Sequence, residues 1–362
     1  MIEDFSVPLA PLTTMRVGGP ADRLVVAEST DEIVDAVRAV DDADESLLLI
    51  SGGSNLVIAD VGFRGTVVRI ASRGITVESV DACSGATVRV AAGERWDDFV
   101  AYAADAGWSG IEAMSGIPGC VGSTPVQNVG AYGQEVADTI ASVRVWDRHR
   151  GAVATLAAAE CDFGYRDSVI KRSAGRLVVL EVVFQLRTGT MSAPIRYADL
   201  ASGLGVEIGD RVPLADARDA VLTQRRRRGM VLDESDHDTW SCGSFFTNPL
   251  VPEGIYPQVH ARITGRLGVD TSAGMPSWPA SLPSGPAVKL SAAWLIERAG
   301  FAKGYGMPGP AALSTRHTLA ITNRGTASAR DVLTLARTIR DGVRDAFGVT
   351  LVNEPVVVGD TL

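Results

Sequence analysis

The segment Ile111–Val136, IEAMSGIPGCVGSTPVQNVGAYGQEV, places five glycines and two prolines among only two carboxylates. Glycine and proline at that density exclude a helix interior and a regular strand, so the chain must lay this stretch as bare backbone against something else. Backbone N–H groups flanked by glycine can crowd an anion without Cβ atoms in the way, which makes a phosphate-bearing ligand the first hypothesis. The competing reading is a pair of tight turns in a glycine-tolerant loop.

A second loop of the same character lies about sixty residues earlier. Ser46–Ile50 reads as a buried strand that runs straight into Ser51-Gly52-Gly53-Ser54-Asn55. Two backbone cradles, Gly52–Leu56 and Gly116–Gly133, suit a diphosphate better than one does. Neither has the G-x-G-x-x-G spacing with a helix behind it and an acid ~20 residues on, which disfavours a Rossmann dinucleotide fold.

A length of 362 residues predicts two or three domains, because one hydrophobic core rarely grows past ~250 residues. A formal charge of −9 argues against general nucleic-acid binding, although Arg225–Arg228 forms a local basic cluster. Cys83, Cys120, Cys161 and Cys242 are widely spaced, with no C-x-x-C pair and no histidine at ligand spacing, so neither disulfides nor a metal site is expected. No apolar run reaches the ~20 residues of a membrane span, and the N-terminal MIEDFSVPLAP lacks a basic or apolar leader pattern. A cytoplasmic protein without a membrane partner is expected.

Ser29-x-x-Glu32 opens an amphipathic helix with Ile33, Val34 and Val37 on one side. Strands are predicted at Thr66–Ile70, Thr87–Ala91 and Leu177–Leu186, a helix from Trp96 to Ala106, and a hairpin from Val143–Asp147 and Ala152–Leu156. Further helices are predicted at Leu214–Arg227, Ser291–Ala299 and Ser328–Phe347, the last with Val332, Leu335, Ile339, Val343 and Phe347 in one stripe. Val269–Ala287, rich in Pro, Ser and Gly, reads as a linker or a loop that closes over a ligand, and Val349–Val358 as a final strand.

Three positions invite chemistry, each with a plainer alternative. Arg166 follows Phe163-Gly164-Tyr165 and either pairs with Asp167 on the surface or faces a reacting carboxylate. Ser244 precedes Phe245 and Phe246, two anchoring aromatics, but no Gly-x-Ser-x-Gly elbow surrounds it, and an ordinary buried serine is the commoner fate. Glu354, among strand-like residues, is an edge acid or a carboxylate held in a site. Arg225–Arg228 ends a predicted helix, where the macrodipole favours cations in any case.

Taken in order, these segments resemble the UDP-N-acetylenolpyruvoylglucosamine reductase family over nearly the whole chain. The resemblance rests on Thr13–Ala21, Gly52–Leu56, Ile117-Pro118-Gly119, Gln127–Gly133, Phe163–Ser168, Gly243–Phe246, Val288-Lys289-Leu290 with Trp294–Glu297, and Asn353-Glu354-Pro355. It implies an α+β fold, with a two-lobed FAD-binding domain of the vanillyl-alcohol-oxidase/PCMH type and a C-terminal α+β domain for the substrate. The implied division is 1–75 joined by 348–362, 76–225, and 226–347.

The resemblance also implies a function: NADPH reduces FAD, and hydride then passes to C3 of the enolpyruvyl ether of UDP-N-acetylglucosamine-enolpyruvate in peptidoglycan synthesis. It assigns Ser244 as proton donor to C2, Arg166 as the cation facing the substrate carboxylate and Glu354 as the acid completing the set. The cofactor residues it implies are Gly52, Gly53, Ser54, Asn55, Leu56, Pro118, Gly119, Gly122, Ser123, Asn128, Gly130, Ala131, Tyr132 and Gly133. For the UDP-sugar it implies Tyr197, Arg228, Asn248, Lys303 and His317, with Tyr197 marking the longer-chain branch. Arg228 stands where lysine is usual in the family, and Thr247 stands where lysine more often follows Gly-Ser-Phe-Phe. A monomer with small-molecule substrates is expected. The rival readings are a flavin-dependent oxidase of the same fold and a UDP-sugar-binding protein without chemistry.

Overall fold

The computed structural model describes residues 1–362, which divide into two compact units. The first comprises residues 1–7, 21–53 and 63–231, and the second residues 8–20, 54–62 and 232–362.

In chain order the first part contains β1 (Ile2–Pro8), β2 (Pro20–Ala27), α1 (Thr30–Asp42), β3 (Leu47–Ile50), β4 (Leu56–Ile58), β5 (Phe63–Ile70), β6 (Ile75–Asp81) and β7 (Gly85–Ala91). There follow α2 (Trp96–Asp105), β8 (Trp108–Ser109), β9 (Gly130–Ala131), β10 (Gln134–Glu135), β11 (Ile140–Asp147), β12 (Ala152–Ala157), α3 (Val169–Arg172), β13 (Leu177–Thr188), α4 (Ala198–Leu204) and α5 (Leu214–Arg227). The predicted start of α1 is met: Ser29 caps it by accepting from the Glu32 amide at 3.2 Å, and Ile33 and Val37 are buried.

The first unit holds two sheets. One has the order β1-β2-β5-β3, with β5 parallel to both β2 and β3, so a helical crossover through α1 is needed between β2 and β3. The other has the order β12-β11-β13-β7-β6 with β8 added beside β13, and its β11–β12 pair is the predicted hairpin. Both sheets feed one core, because Val25, Ile33 and Val68 from the first share a hydrophobic cluster with Val88, Phe99 and Phe184 from the second. Phe99 and Phe184 meet at 4.9 Å between ring centroids, and Trp96 packs on both.

The second unit contains β4, β14 (Leu250–Pro252), α6 (Tyr256–Leu267), α7 (Val269–Ala273), β15 (Ser277–Leu282), β16 (Gly285–Leu290), α8 (Ala292–Arg298), β17 (Ala311–Leu313), β18 (Ile321–Asn323), α9 (Ala329–Phe347) and β19 (Val356–Val358). All five residues of the predicted α9 stripe are buried. Its ends are set by a reciprocal Ser328–Asp331 capping box and by Gly348 in the left-handed region at φ +74°.

Two expectations fail here. Residues 269–287 are a short helix and an antiparallel hairpin, with β15 and β16 joined to β14 in one sheet. The final strand is only Val356–Val358, paired in parallel with β4; Val349 and Leu351 are apolar because they are buried, without a ladder of their own. No helix is long and apolar enough to cross a membrane.

Candidate active site

The two glycine loops meet. A Cβ built on Gly52 would lie 2.4 Å from the Gly119 Cα, so the two backbones pack closely and position 52 has no room for a side chain. Gly53, Gly119 and Gly133 hold φ of +59°, +121° and +84°, and Gly119 donates no side chain where its carbonyl accepts from the Trp96 amide at 3.0 Å. Gly122 is different in kind: its amide is spent on the Ala92 carbonyl at 2.8 Å, and its own Cβ would collide with Ala92 at 2.5 Å. Ser123 likewise turns its hydroxyl to the Cys120 carbonyl at 2.7 Å. Pro118 and Gly130–Ala131 complete the loop, the latter pairing as β9 with β10.

Asn128 locks this loop to the turn that carries Arg166. It is buried at φ +46°, donates to Glu135 Oε2 at 2.7 Å and to the Gly164 carbonyl at 3.1 Å, and accepts from the Ala137 amide at 3.1 Å. Ser168 makes a second tie, from its hydroxyl to the Val126 carbonyl at 2.6 Å. Between them Arg166 adopts φ +56° in a turn closed by the Gly164 amide on the Asp167 carbonyl, with its guanidinium 5.6 Å from the Tyr165 ring centroid. Asp167 is paired with Arg172. Asn128, Tyr132 and Arg166 are three of the eight non-glycine residues in the left-handed region, the others being Ser6, Arg16, Asp44, Asp162 and Ala174.

Sequence reasoning missed Arg225, which had been explained by the helix macrodipole. Its Nη2 donates to the Met230 carbonyl at 2.8 Å, while its buried Nε has no hydrogen-bond partner in the protein. Gly116 lies beside it, and a Cβ there would stand 3.6 Å from that Nε. Burial lowers the guanidinium to about 10, with Tyr132 and Asp97 opposing the shift, so it stays charged at neutral pH. Asp97 itself is occupied by a bidentate pair with Arg218 at 2.7 and 3.0 Å and by the Gly116 amide at 2.6 Å. Burial also raises the Tyr132 hydroxyl, against the charges of Arg225 and Arg228.

Tyr197 caps α4 and meets Tyr132 edge-on at 5.8 Å between centroids. Arg228 follows the last turn of α5 and pairs with Asp199 at 2.5 Å.

In the second unit the backbone brings Ser244 and Glu354 together across 110 residues of sequence. The Glu354 amide donates to the Phe245 carbonyl at 2.9 Å, Phe246 bridges Asn353, and the Thr247 amide donates to the Val352 carbonyl at 3.0 Å. Phe245 and Phe246 are fully buried and pack edge-on at 5.2 Å, which anchors Ser244 as the sequence suggested. Thr247 points its hydroxyl back to Val352 at 3.3 Å. Asn55 joins the same corner: its Nδ2 donates to the Glu354 carbonyl at 3.3 Å and its carbonyl accepts from the Val356 amide at 2.9 Å, where Leu56 begins β4. Cys242 is buried against the Leu56 carbonyl, and burial pushes its thiol to about 12, which makes it inert packing.

The remaining predicted residues scatter more. Asn248 uses its Oδ1 to accept from the Ala292 amide at 3.0 Å, holding the start of α8. Lys303 is exposed in the turn after α8. His317 accepts from the Leu319 amide at Nδ1, 3.1 Å, and the Leu319 carbonyl accepts from Phe245 at 2.7 Å. Hollows of about 500 and 320 Å³ beside Arg148, Arg172 and Arg176 contain none of these residues, and Arg148 and Arg176 are already paired with Asp41 and Asp147.

A glycine cradle that no side chain could fill and a buried cation with an orphaned donor fit a large phosphate-bearing cofactor. Residues 21–157 match the family model described as an FAD binding domain, and the class is that of FAD-binding oxidoreductases with an α+β fold. Residues 234–358 match the C-terminal domain of UDP-N-acetylenolpyruvoylglucosamine reductase. The reductase of that name from Streptomyces avermitilis is 55% identical over 99% of this chain and 95% of its own, and that from Thermobifida fusca is 53% identical over 99% and 98%. The crystal structure of the Thermus caldophilus reductase covers 97% of both chains with a TM-score of 0.63 at 26% identity. This chain belongs to the UDP-N-acetylenolpyruvoylglucosamine reductase family.

Proposed function

We propose that the protein reduces the enolpyruvyl ether of UDP-N-acetylglucosamine-enolpyruvate to UDP-N-acetylmuramate at the expense of NADPH, a step of peptidoglycan synthesis in the cytoplasm, acting as a monomer. The chemistry that FAD supplies when bound is storage of two electrons between NADPH and the C3 carbon of the substrate. Gly52, Gly53 and Gly119 would line its diphosphate, joined by Ser54–Leu56 and the Pro118–Gly133 loop, and Arg225 would offer it a charged donor.

The chain's own residues then have to polarise an alkene and deliver a proton. Hydride addition at C3 leaves negative charge on C2 and on the adjoining carboxylate. Arg166 would stabilise that charge, because its guanidinium is planar, permanently charged and carried on a turn tied to the glycine loop. Ser244 would pass its proton to C2 and be reprotonated from solvent, with Glu354 as the acid completing the polarising set. Tyr197, Arg228, Asn248, Lys303 and His317 would hold the UDP-sugar.

The observation that carries this reading is the 2.9 Å bond from the Glu354 amide to the Phe245 carbonyl, which fixes the acid next to the residue following Ser244. The direct test is half-reaction kinetics of Ser244→Ala. Normal flavin reduction by NADPH with slow reoxidation by the enolpyruvyl substrate is expected, and wild-type reoxidation would overturn the assignment of Ser244.

A further inference from the structure

The ion pair between Arg228 and Asp199 joins two pieces that the proposed function uses separately. Asp199 is the second residue of α4, so it sits two positions from Tyr197. Its carboxylate takes Arg228 Nη2 at 2.5 Å, and its carbonyl takes Gln224 Nε2 at 3.2 Å. Gln224 lies in the last turn of α5 and Arg228 is the residue that caps its C-terminal end, so the first turn of α4 is tied twice to the same end of α5. Tyr197 is held over Tyr132 by this arrangement, and Arg196 reinforces it by donating to the Gly133 carbonyl at 2.7 Å.

The charges leave Asp199 with a particular task. Arg225 and Arg228 both bear on Tyr132, and Asp97, the acid facing Arg225, is consumed by the bidentate pair with Arg218. Asp199 is thus the carboxylate that neutralises Arg228. An incoming diphosphate that uses Arg228 brings negative charge to the oxygens of Asp199, and like charges at that distance repel. Both ligands compete for one guanidinium.

We propose that Asp199 is an internal competitor for the anionic ligand of Arg228 and a positioning residue for Tyr197: it holds Arg228 and the first turn of α4 in the free protein, and the diphosphate of a nucleotide displaces it, releasing Tyr197 to rearrange. This rests on the reading of Arg228 as a diphosphate-binding residue. The pair is partly exposed, at 40% and 63% for the two side chains, so the competition is modest, and removing the competitor should tighten anion binding by about two- to five-fold.

The test measures UDP binding to the FAD-loaded protein by calorimetry for the wild type, Asp199→Asn, Asp199→Ser, Arg228→Gln and the Asp199→Asn/Arg228→Gln double variant. Both Asp199 substitutions should lower the UDP Kd about two- to five-fold and lower KM for the UDP-sugar without a matching rise in kcat. Arg228→Gln should weaken UDP, and in that background Asp199→Asn should have no further effect, the coupling of a double-mutant cycle. If Arg228→Gln leaves UDP binding unchanged, the reading of Arg228 fails. If Arg228→Gln weakens UDP while both Asp199 variants bind it no tighter than wild type, or the effect of Asp199→Asn persists without Arg228, the competition fails and the reading of Arg228 stands.

Discussion

The amide of Glu354 donates to the carbonyl of Phe245 at 2.9 Å, and Phe245 is the neighbour of Ser244 in the chain. The backbone segments that carry Ser244 and Glu354, from opposite ends of the C-terminal domain, are thereby held side by side, and buried Phe245 and Phe246 remove the freedom of the Ser244 segment to drift. In the proposed reaction Ser244 would deliver the proton to C2, a role that contributes about 10²–10⁴ in rate. Ser244→Ala should slow reoxidation of the reduced enzyme by its substrate by that factor, with the visible flavin spectrum and the NADPH half-reaction unchanged. Glu354→Gln should slow the same half by a smaller factor, read in the same single-turnover experiment.

Contact between Gly52 and Gly119 makes a sharp steric prediction. Alanine at position 52 would put its Cβ 2.4 Å from backbone that has no flexible end to yield. Gly52→Ala should therefore force the two loops apart, costing about 1–3 kcal/mol and leaving purified protein with depleted flavin absorbance. Gly254→Ala, where a Cβ meets nothing within 4 Å, is the control and should stay within about 0.5 kcal/mol with full flavin content.

Arg225 separates stability from cofactor binding. A buried cation with an unmet Nε is costly to the empty fold, so Arg225→Met should leave the thermal midpoint of flavin-free protein unchanged or raised. The same change removes a charged donor worth about 1.5–3 kcal/mol, so FAD should bind roughly ten- to a hundred-fold more weakly in a titration followed by flavin fluorescence. A fall in both quantities would show that Arg225 is structural.

Asp97 sets part of the acid limit of the fold. Burial pushes its carboxyl up, but the Arg218 hydrogen bonds, the Gly116 amide and the charges of Arg218 and Arg225 outweigh it and hold the group below its ordinary value. A carboxyl depressed in the folded state contributes stability that is fully present above its unfolded value of ~3.9 and is lost as pH falls through the folded value. Arg218→Ala should thus be less stable than wild type at neutral pH, and the gap should close as denaturant melts are repeated from pH 5 downward.

The elements legible in the sequence are those whose signals are local. Helix α9 announces itself by a stripe and a Ser–Asp capping box, and α1 by Ser29 with Glu32, because caps and periodicity act within a few residues. Strands β15 and β16 were invisible because Pro279, Pro286 and Gly285 mask β propensity, and the pairing that holds them runs to Leu250–Pro252. Val349–Leu351 looked like strand because apolar residues report burial, not partners. Arg225 was hidden for a related reason. Its position at a helix end explains its charge, whereas its burial, and the opposing influence of Tyr132 and Asp97, come from elements far away in the chain.

The most direct test of the account is anaerobic stopped-flow absorbance at the flavin band. Mixing with NADPH should bleach the enzyme, and a second mix with UDP-N-acetylglucosamine-enolpyruvate in the absence of oxygen should restore the colour at a rate compatible with turnover. Enzyme that bleaches but regains colour only when oxygen is admitted would contradict the account and make the protein an oxidase.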